Sequence, residues 1–215
     1  KNMFADQPRE YTVIGIKHAL ALSDGEDPDL RPQGAFSMRG HSVGGFGSVT
    51  TNKLIASFVG ELFNIYVQAY PKYGSEKKGQ PTTYYLAAAP EPIRINCEYF
   101  YVDVVLSPDP NVFHHTNAVA GLKQGGVLII QSERGSTEQV WADIPEHYQQ
   151  LIVDQQIRLY YLDAFRIARE EATDTELQLR MQGIAFQGAF FAASPLAGQA
   201  GLTEDKLPAP NRNSR

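Results

Sequence analysis

Three short runs of nearly unbroken apolar residues constrain this chain most. They are Tyr99-Phe100-Tyr101-Val102 leading into Val104-Val105-Leu106, then Val127-Leu128-Ile129-Ile130, then Leu159-Tyr160-Tyr161-Leu162. Runs of this length without polar alternation read as strands covered on both faces. The segments between them are long enough for helices, and strands alternating with helices build βαβ units around a parallel sheet. The expected fold is α/β: a three-layer α/β/α sandwich with a mostly parallel central sheet.

Around these runs further elements can be assigned. Val49, Leu54, Ile55, Phe58, Val59 and Leu62 recur at helical spacing and predict a helix from Ser48 to Phe63. Gly34 to Ser42 is short and mixed, and precedes a glycine-rich turn. Ile65–Ala69 and Thr82–Ala89 read as strands, Asn111–Leu122 as a short helix, and Asp163–Ala172 and Glu176–Ala193 as two closing helices. Nothing is assigned between the runs ending at Ile130 and beginning at Leu159. A short strand is expected at Tyr11–Ile16, ahead of the polar breaker Asp24-Gly25-Glu26-Asp27-Pro28-Asp29. The expected division is a linker or extension over 1–33, one α/β domain over 34–197, and a linker or tail over 198–215, where Pro208 and Pro210 interrupt any period.

Composition excludes several classes. With 43% hydrophobic and 20% charged residues, the chain is not wholesale disordered. No apolar run approaches the roughly eighteen residues of a membrane-spanning helix. The polar start, Lys1 to Asp6, is not expected to be a secretory leader. The single Cys97 rules out a disulfide framework, a thiolate zinc site and an iron–sulfur cluster held by this chain alone. A reduced, cytoplasmic protein that binds neither nucleic acid nor membrane is the expectation. Net charge is −5, yet residues 36–89 carry Arg39, Lys53, Lys72, Lys77 and Lys78 against only Glu61 and Glu76. A cationic, glycine-rich third within an acidic chain suits a local anion site as well as it suits a solvated lysine loop.

Two motifs stand in that third. Gly40-His41-Ser42-Val43-Gly44-Gly45-Phe46-Gly47-Ser48 lies between a strand and a helix. Glycines there allow a sharp turn and a close backbone approach, and the N–H groups of the following helix favour anions. Ser48, Thr50 and Thr51 are placed to cap that helix or donate to phosphate oxygens. The spacing is neither the dinucleotide fingerprint nor a Walker A loop, and a glycine turn of this kind is often only a packing solution. The second motif, Tyr73-Gly74-Ser75-Glu76-Lys77-Lys78-Gly79-Gln80, sits in a loop long for a plain connection. Its lysines suit phosphate or carboxylate, and a subunit-docking loop is an equal alternative. Candidate ligand-binding residues are therefore Gly44, Gly45, Gly47, Ser48, Lys77 and Lys78.

Other reactive residues carry less. His114 and His115 are adjacent, so on a helix they diverge and do not share a metal, and they read as surface histidines. His41 is the one histidine beside the glycine loop. Cys97 reads as a structural thiol, and Asp103, inside the best strand, as a hydrogen-bonding partner of a neighbouring loop. No Gly-x-Ser-x-Gly occurs, so no catalytic residue and no metal ligand is assigned.

At these motifs the chain resembles the γ piece of the 2-oxoacid:ferredoxin oxidoreductases, the thiamine-diphosphate enzymes that include pyruvate:ferredoxin oxidoreductase. The resemblance spans about Phe36 to Phe191. It rests on Val43-Gly44-Gly45-Phe46-Gly47, Thr51-Asn52-Lys53, Tyr73 to Gly79, Tyr101-Val102-Asp103-Val104-Val105, Gly121-Leu122-Lys123-Gln124-Gly125-Gly126, Asp163 to Arg169, and Gly188-Ala189-Phe190-Phe191, in that order. Each is weak alone; the ordered set is specific. Ser42 stands where many relatives carry glycine and Phe46 where many carry glutamine. Lys78 and Gln80 replace the arginine and second glycine of the second loop, which keeps the charge but loses the bidentate fork.

The resemblance implies a part of an enzyme rather than a whole one. The family oxidises a 2-oxoacid with coenzyme A to an acyl-CoA and carbon dioxide, passing electrons through iron–sulfur clusters to ferredoxin. Thiamine diphosphate and the clusters are then expected on partner domains or subunits. Coenzyme A is the one cofactor this domain is placed to help bind, beside a role in assembly. The isolated domain is expected to be inactive. An autonomous nucleotide-binding module and a pure assembly domain are the alternatives, and pyruvate, 2-oxoglutarate and aryl oxoacids all stay open as substrates.

Overall fold

A computed structural model describes residues 29–43, 48–73 and 81–196; the strand expected at Tyr11–Ile16 and the tail from Gly198 lie outside the described residues. The strands are β1 (Phe36–Val43), β2 (Tyr66–Lys72), β3 (Pro81–Ala89), β4 (Val102–Ser107), β5 (Leu122–Gln131) and β6 (Arg158–Leu162). They form one six-stranded sheet in the order β2-β3-β1-β4-β5-β6. β1, β4, β5 and β6 pair in parallel, while β3 runs antiparallel to both β1 and β2. The helices are α1 (Ser48–Phe63), α2 (Val112–His115), α3 (Thr137–Asp143), α4 (Glu146–Asp154), α5 (Ala164–Glu171) and α6 (Thr175–Ala193). The α/β sandwich with a mostly parallel sheet is the architecture the sequence predicts.

Alternation along the strands splits the core into two apolar clusters. Met38 of β1, Leu86 of β3, Leu106 of β4 and Ile129 of β5 meet Ile55 and Val59 of α1 and Phe186 and Phe190 of α6. Ile55, Val59 and Phe190 are fully buried, each burial contributing about 1.5–3 kcal/mol. Phe190 also meets Phe36 edge-on, with ring centroids 6.0 Å apart. The second cluster joins Val105 of β4 and Leu128 of β5 to Val140, Ile144, Tyr148 and Ile152 around α3 and α4. A register shift between Val102 and Val104 lets Val102 share this second face with Val105.

The assigned helix from Ser48 to Phe63 matches α1 end to end. Helix starts are set by side chains that satisfy free N–H groups: Asp163 caps α5 through Arg166 N, and Asp174 caps α6 through Glu176 N and Leu177 N. The stretch left unassigned, 131–158, holds α3 and α4. At seven and nine residues they are too short to show a clear period, though Ser136 accepts from Gln139 N as an ordinary N-cap.

Two further expectations change. The helix expected over Asn111–Leu122 is only the single turn α2, because Thr116 is extended (φ −152°) and Gly121 adopts φ +68°. The strand expected from Tyr99 begins at Val102, since Tyr99 turns back and its hydroxyl donates to Ile95 O at 3.0 Å.

Gly121 and Gln156 are both left-handed, with different consequences. A Cβ on Gly121 would overlap the Phe100 carbonyl, so the position requires glycine. Gln156 holds φ +53° in the α4–β6 connection, where a side chain is strained. Gln156→Gly should therefore stabilise the fold by about 1 kcal/mol, a rise in Tm of about 2–4 °C by calorimetry. Gly121→Ala should cost about 1–3 kcal/mol in the same measurement.

Candidate functional site

The order of strands creates a switch point. β1 leads into α1, which packs in the first cluster, whereas its parallel neighbour β4 leads into α2, whose Val112 packs in the second. The two connections leave toward opposite faces, and in open α/β sheets ligands bind in the crevice this opens beyond the carboxyl ends of such strands.

The described residues bordering the two motifs singled out in the sequence lie at this edge. Gly44, Gly45 and Gly47 of the first, and Lys77 and Lys78 of the second, lie outside the described residues. Their anchors are inside it. Val43, where the glycine segment begins, pairs with Pro81, where the lysine segment ends. Lys72 pairs with Thr83, so the lysine segment leaves β2 and enters β3 at the same end of the sheet. Ser48, the remaining candidate, is the buried first residue of α1.

The first turn of α1 is polar where it faces the sheet. Ser48, Thr51 and Asn52 are all buried, and no acidic side chain occupies the turn. Asn52 lies directly over Gly40, where any side chain would overlap its amide, and its Oδ1 is buried without a hydrogen-bond partner. Such an atom is costly and uncommon in a finished interior.

On the opposite face of β1 runs a buried polar row. Arg39, 6% exposed, donates from Nε to His41 Nε2 at 2.9 Å and from its Nη atoms to the carbonyls of Phe100 and Ala120. Because His41 Nε2 accepts, its proton sits on Nδ1 and is donated to Thr116 Oγ1 at 3.0 Å. Burial, with the Arg39 charge beside it, pushes the His41 pKa down to about 3. The histidine beside the glycine loop is thus a neutral link between β1 and the end of α2.

Beyond β4 the chain winds around Asp109, 1% exposed. Its N–H donates to Ser107 Oγ, and its carboxylate accepts from Asn111 N at 2.8 Å and from His115 Nδ1 at 2.5 Å. The paired histidines of the sequence therefore differ: His115 is held by a buried carboxylate, a contact that sequence spacing does not display. Asp103 does bind a neighbouring loop, accepting from Arg31 Nη1, and it also accepts from Ser37 N of the adjacent strand β1. Among the described residues no three His, Cys, Asp or Glu side chains stand close enough to hold a metal ion. No described helix is long and apolar enough to cross a membrane.

Open grooves lie elsewhere among the described residues. One of about 530 Å³ runs beside edge strand β6, lined by Trp141, Ile152, Val153 and Tyr160, and gathers no titratable cluster. Another of about 780 Å³ carries Asp29 and Lys123, which pair with Arg31 and Asp103. The carboxyl edge of β1 and β4 is the better candidate, because buried polar groups converge there.

Residues 37–206 match the family model described as pyruvate ferredoxin/flavodoxin oxidoreductase. The chain belongs to that family. The common γ subunit of the pyruvate/ketoisovalerate oxidoreductases of Thermococcus kodakarensis is 37% identical over 101 residues, covering 47% of this chain and 54% of that subunit. The pyruvate:ferredoxin oxidoreductase of Moorella thermoacetica is 26% identical over 189 residues, covering 86% of this chain and 16% of its own length. The chain thus spans about half of one relative and about a sixth of the other. The pyruvate oxidoreductase subunit PORC of Thermotoga maritima shares the fold, with a TM-score of 0.53 at 22% identity over 73% of this chain and 75% of that one. So does the 2-oxoglutarate:ferredoxin oxidoreductase of Magnetococcus marinus, solved with 2-oxoglutarate, coenzyme A and succinyl-CoA, with a TM-score of 0.53 at 15% identity over 77% of this chain and 25% of that one. The γ piece that the sequence resembles is the part of the family to which this chain corresponds.

The neutral buried His41 makes stability depend on pH. The unfolded histidine binds a proton near pH 6.5, the folded one only near pH 3, so stability is complete above 6.5 and declines as pH falls through this window. Melting temperature should drop on acidification below about pH 6, and His41→Gln should flatten that slope. An unchanged slope in the variant would show that other groups set it.

Proposed function

We propose that this chain is the γ-type domain of a thiamine-diphosphate-dependent 2-oxoacid:ferredoxin oxidoreductase. The whole enzyme would oxidatively decarboxylate a 2-oxoacid to an acyl-CoA. This domain's part would be to dock on the thiamine-binding and iron–sulfur parts and to contribute to binding coenzyme A. An iron–sulfur cluster needs several thiolates, and a chain with one cysteine does not supply them. That chemistry is assigned to partners, with ferredoxin as their acceptor. The chain on its own would then be inactive, and its setting the cytoplasm.

One observation carries the coenzyme A reading: the pairing of Val43 with Pro81 at the carboxyl edge beside β4. It brings the ends of the glycine segment and the lysine segment to one place, so Gly44, Gly45, Gly47, Ser48, Lys77 and Lys78 can serve one anionic ligand. Coenzyme A carries a diphosphate and a 3′-phosphate, and the solved relative that holds it shares this fold. Charge-assisted contacts to such groups contribute about 1.5–3 kcal/mol each when shielded from water.

In the assembled oxidoreductase, replacing Lys77 and Lys78 by alanine should raise the KM for coenzyme A about tenfold, equivalent to about 1.4 kcal/mol. The decarboxylating half-reaction, run without coenzyme A, should change little. Size-exclusion profiles of the same variant test the rival reading, a docking loop, under which assembly fails while coenzyme A kinetics stay normal in whatever complex remains.

A further inference from the structure

Arg31 fixes the chain where it approaches the amino ends of the strands. Its side chain is 4% exposed. The guanidinium grips both carboxylate oxygens of Asp29, from Nε at 2.9 Å and from Nη2 at 2.8 Å. From Nη1 it donates to Asp103 Oδ2 at 2.9 Å and to Ser37 Oγ at 2.8 Å. A planar fork held at all its nitrogens sets residue 29 in place relative to β1 and β4. Asp29 is in turn a wall of the open groove of about 780 Å³, whose other walls include Phe100, Gly121, Lys123, Leu151 and Gln155. Those residues stand before β4, at the start of β5 and before β6, so the groove lies on the edge opposite the carboxyl ends of β1 and β4. Phe100 and Leu151 are large apolar side chains, 43% and 39% exposed. Lys123 approaches Asp103 Oδ1 no closer than 3.9 Å, which leaves its ammonium donors largely unused.

The residues preceding Asp29 suit these walls in kind and in order. Asp24-Gly25-Glu26-Asp27-Pro28 carries three carboxylates, and Ala19-Leu20-Ala21-Leu22 ahead of it is apolar. Because Arg31 already neutralises Asp29, Lys123 is the cation of the groove that such a run can meet. Leu22 stands seven positions before Asp29, a reach of at most about 25 Å. So short a tether holds it at the groove at an effective concentration of about millimolar, which a second copy or another chain would have to exceed. We propose that residues 20–28 of this chain are the occupant of this groove. Leu20 and Leu22 cover Phe100 and Leu151, and the acidic run faces Lys123. The extension is then an internal cap on the amino edge of the sheet, and that edge is closed to partners.

Hydrogen–deuterium exchange on the full chain reads the cap directly. Amides of residues 20–28 should exchange about tenfold more slowly than in the L20D/L22D variant, and that variant should also speed exchange at residues 119–124. Lys123→Glu, which sets like charges against the acidic run, should give part of the same acceleration. Exchange over 20–28 as fast in the parent as in L20D/L22D overturns the proposal, and no change in Lys123→Glu overturns its ionic contact. Cross-linking identifies the occupant. In a full chain carrying Cys97→Ser and Leu22→Cys, a short bismaleimide should join position 22 to Leu151→Cys within one molecule. It should join position 22 much less to Val153→Cys, in the other groove beside β6. Equal yields at 151 and 153 mark a tether that settles nowhere, and a covalently linked dimer marks a second copy as the occupant. Either result overturns the assignment.

Discussion

A guanidinium buried without a carboxylate is expensive, and Arg39 is such a group. It sits in the central strand β1, on the face that the apolar cluster around α1 and α6 does not cover. Its charge is satisfied by dipoles: the Phe100 and Ala120 carbonyls and His41 Nε2. Two of those bonds fasten separate stretches of chain, at Phe100 and Ala120, to β1, and His41 ties in a third through Thr116. The two carbonyls flank the place where Gly121 packs against Phe100. Removing the arginine would leave two carbonyls and an imidazole unsatisfied in the interior, which costs more than the bonds themselves contribute.

The same strand organises the candidate site. Inserting β2 and β3 on one side of β1, and continuing in parallel through β4 on the other, gives the sheet one reversed strand and one switch point. The reversed strand brings Pro81, where β3 begins, beside Val43, where β1 ends, on the same edge as the switch point between β1 and β4. Fold and site are therefore consequences of one pairing arrangement.

Much of this is legible in the residues. The apolar runs at Tyr99–Leu106, Val127–Ile130 and Leu159–Leu162 mark parallel strands, and the spacing within Ser48–Phe63 marks α1 without error. Asp103 within a strand announces a polar partner. The elements that escaped, α3 and α4, are short, α4 exposes Leu151 and Val153 so that its apolar period is blurred, and Val140, Ile144, Tyr148 and Ile152 pack in one cluster with Val105 of β4 and Leu128 of β5. The overlong helix after Asn111 fails for a related reason: local propensity allows it, but Thr116 is drawn out to meet His41 and Gly121 turns against Phe100.

What the sequence determined by itself is the class of fold, the order of its elements, and the residue types available for chemistry, because periodicity, glycine content and cysteine count are local properties. Family membership was also legible, because several weak motifs in a fixed order exclude coincidence better than one strong motif does. Only the tertiary structure decided which residues act together. Val43 meets Pro81 across 38 positions of chain, Arg39 reaches Ala120, and His115 meets the buried carboxylate of Asp109. These partnerships come from strand order and from the cost of leaving a buried polar group alone. Neither quantity is written in any short stretch of sequence.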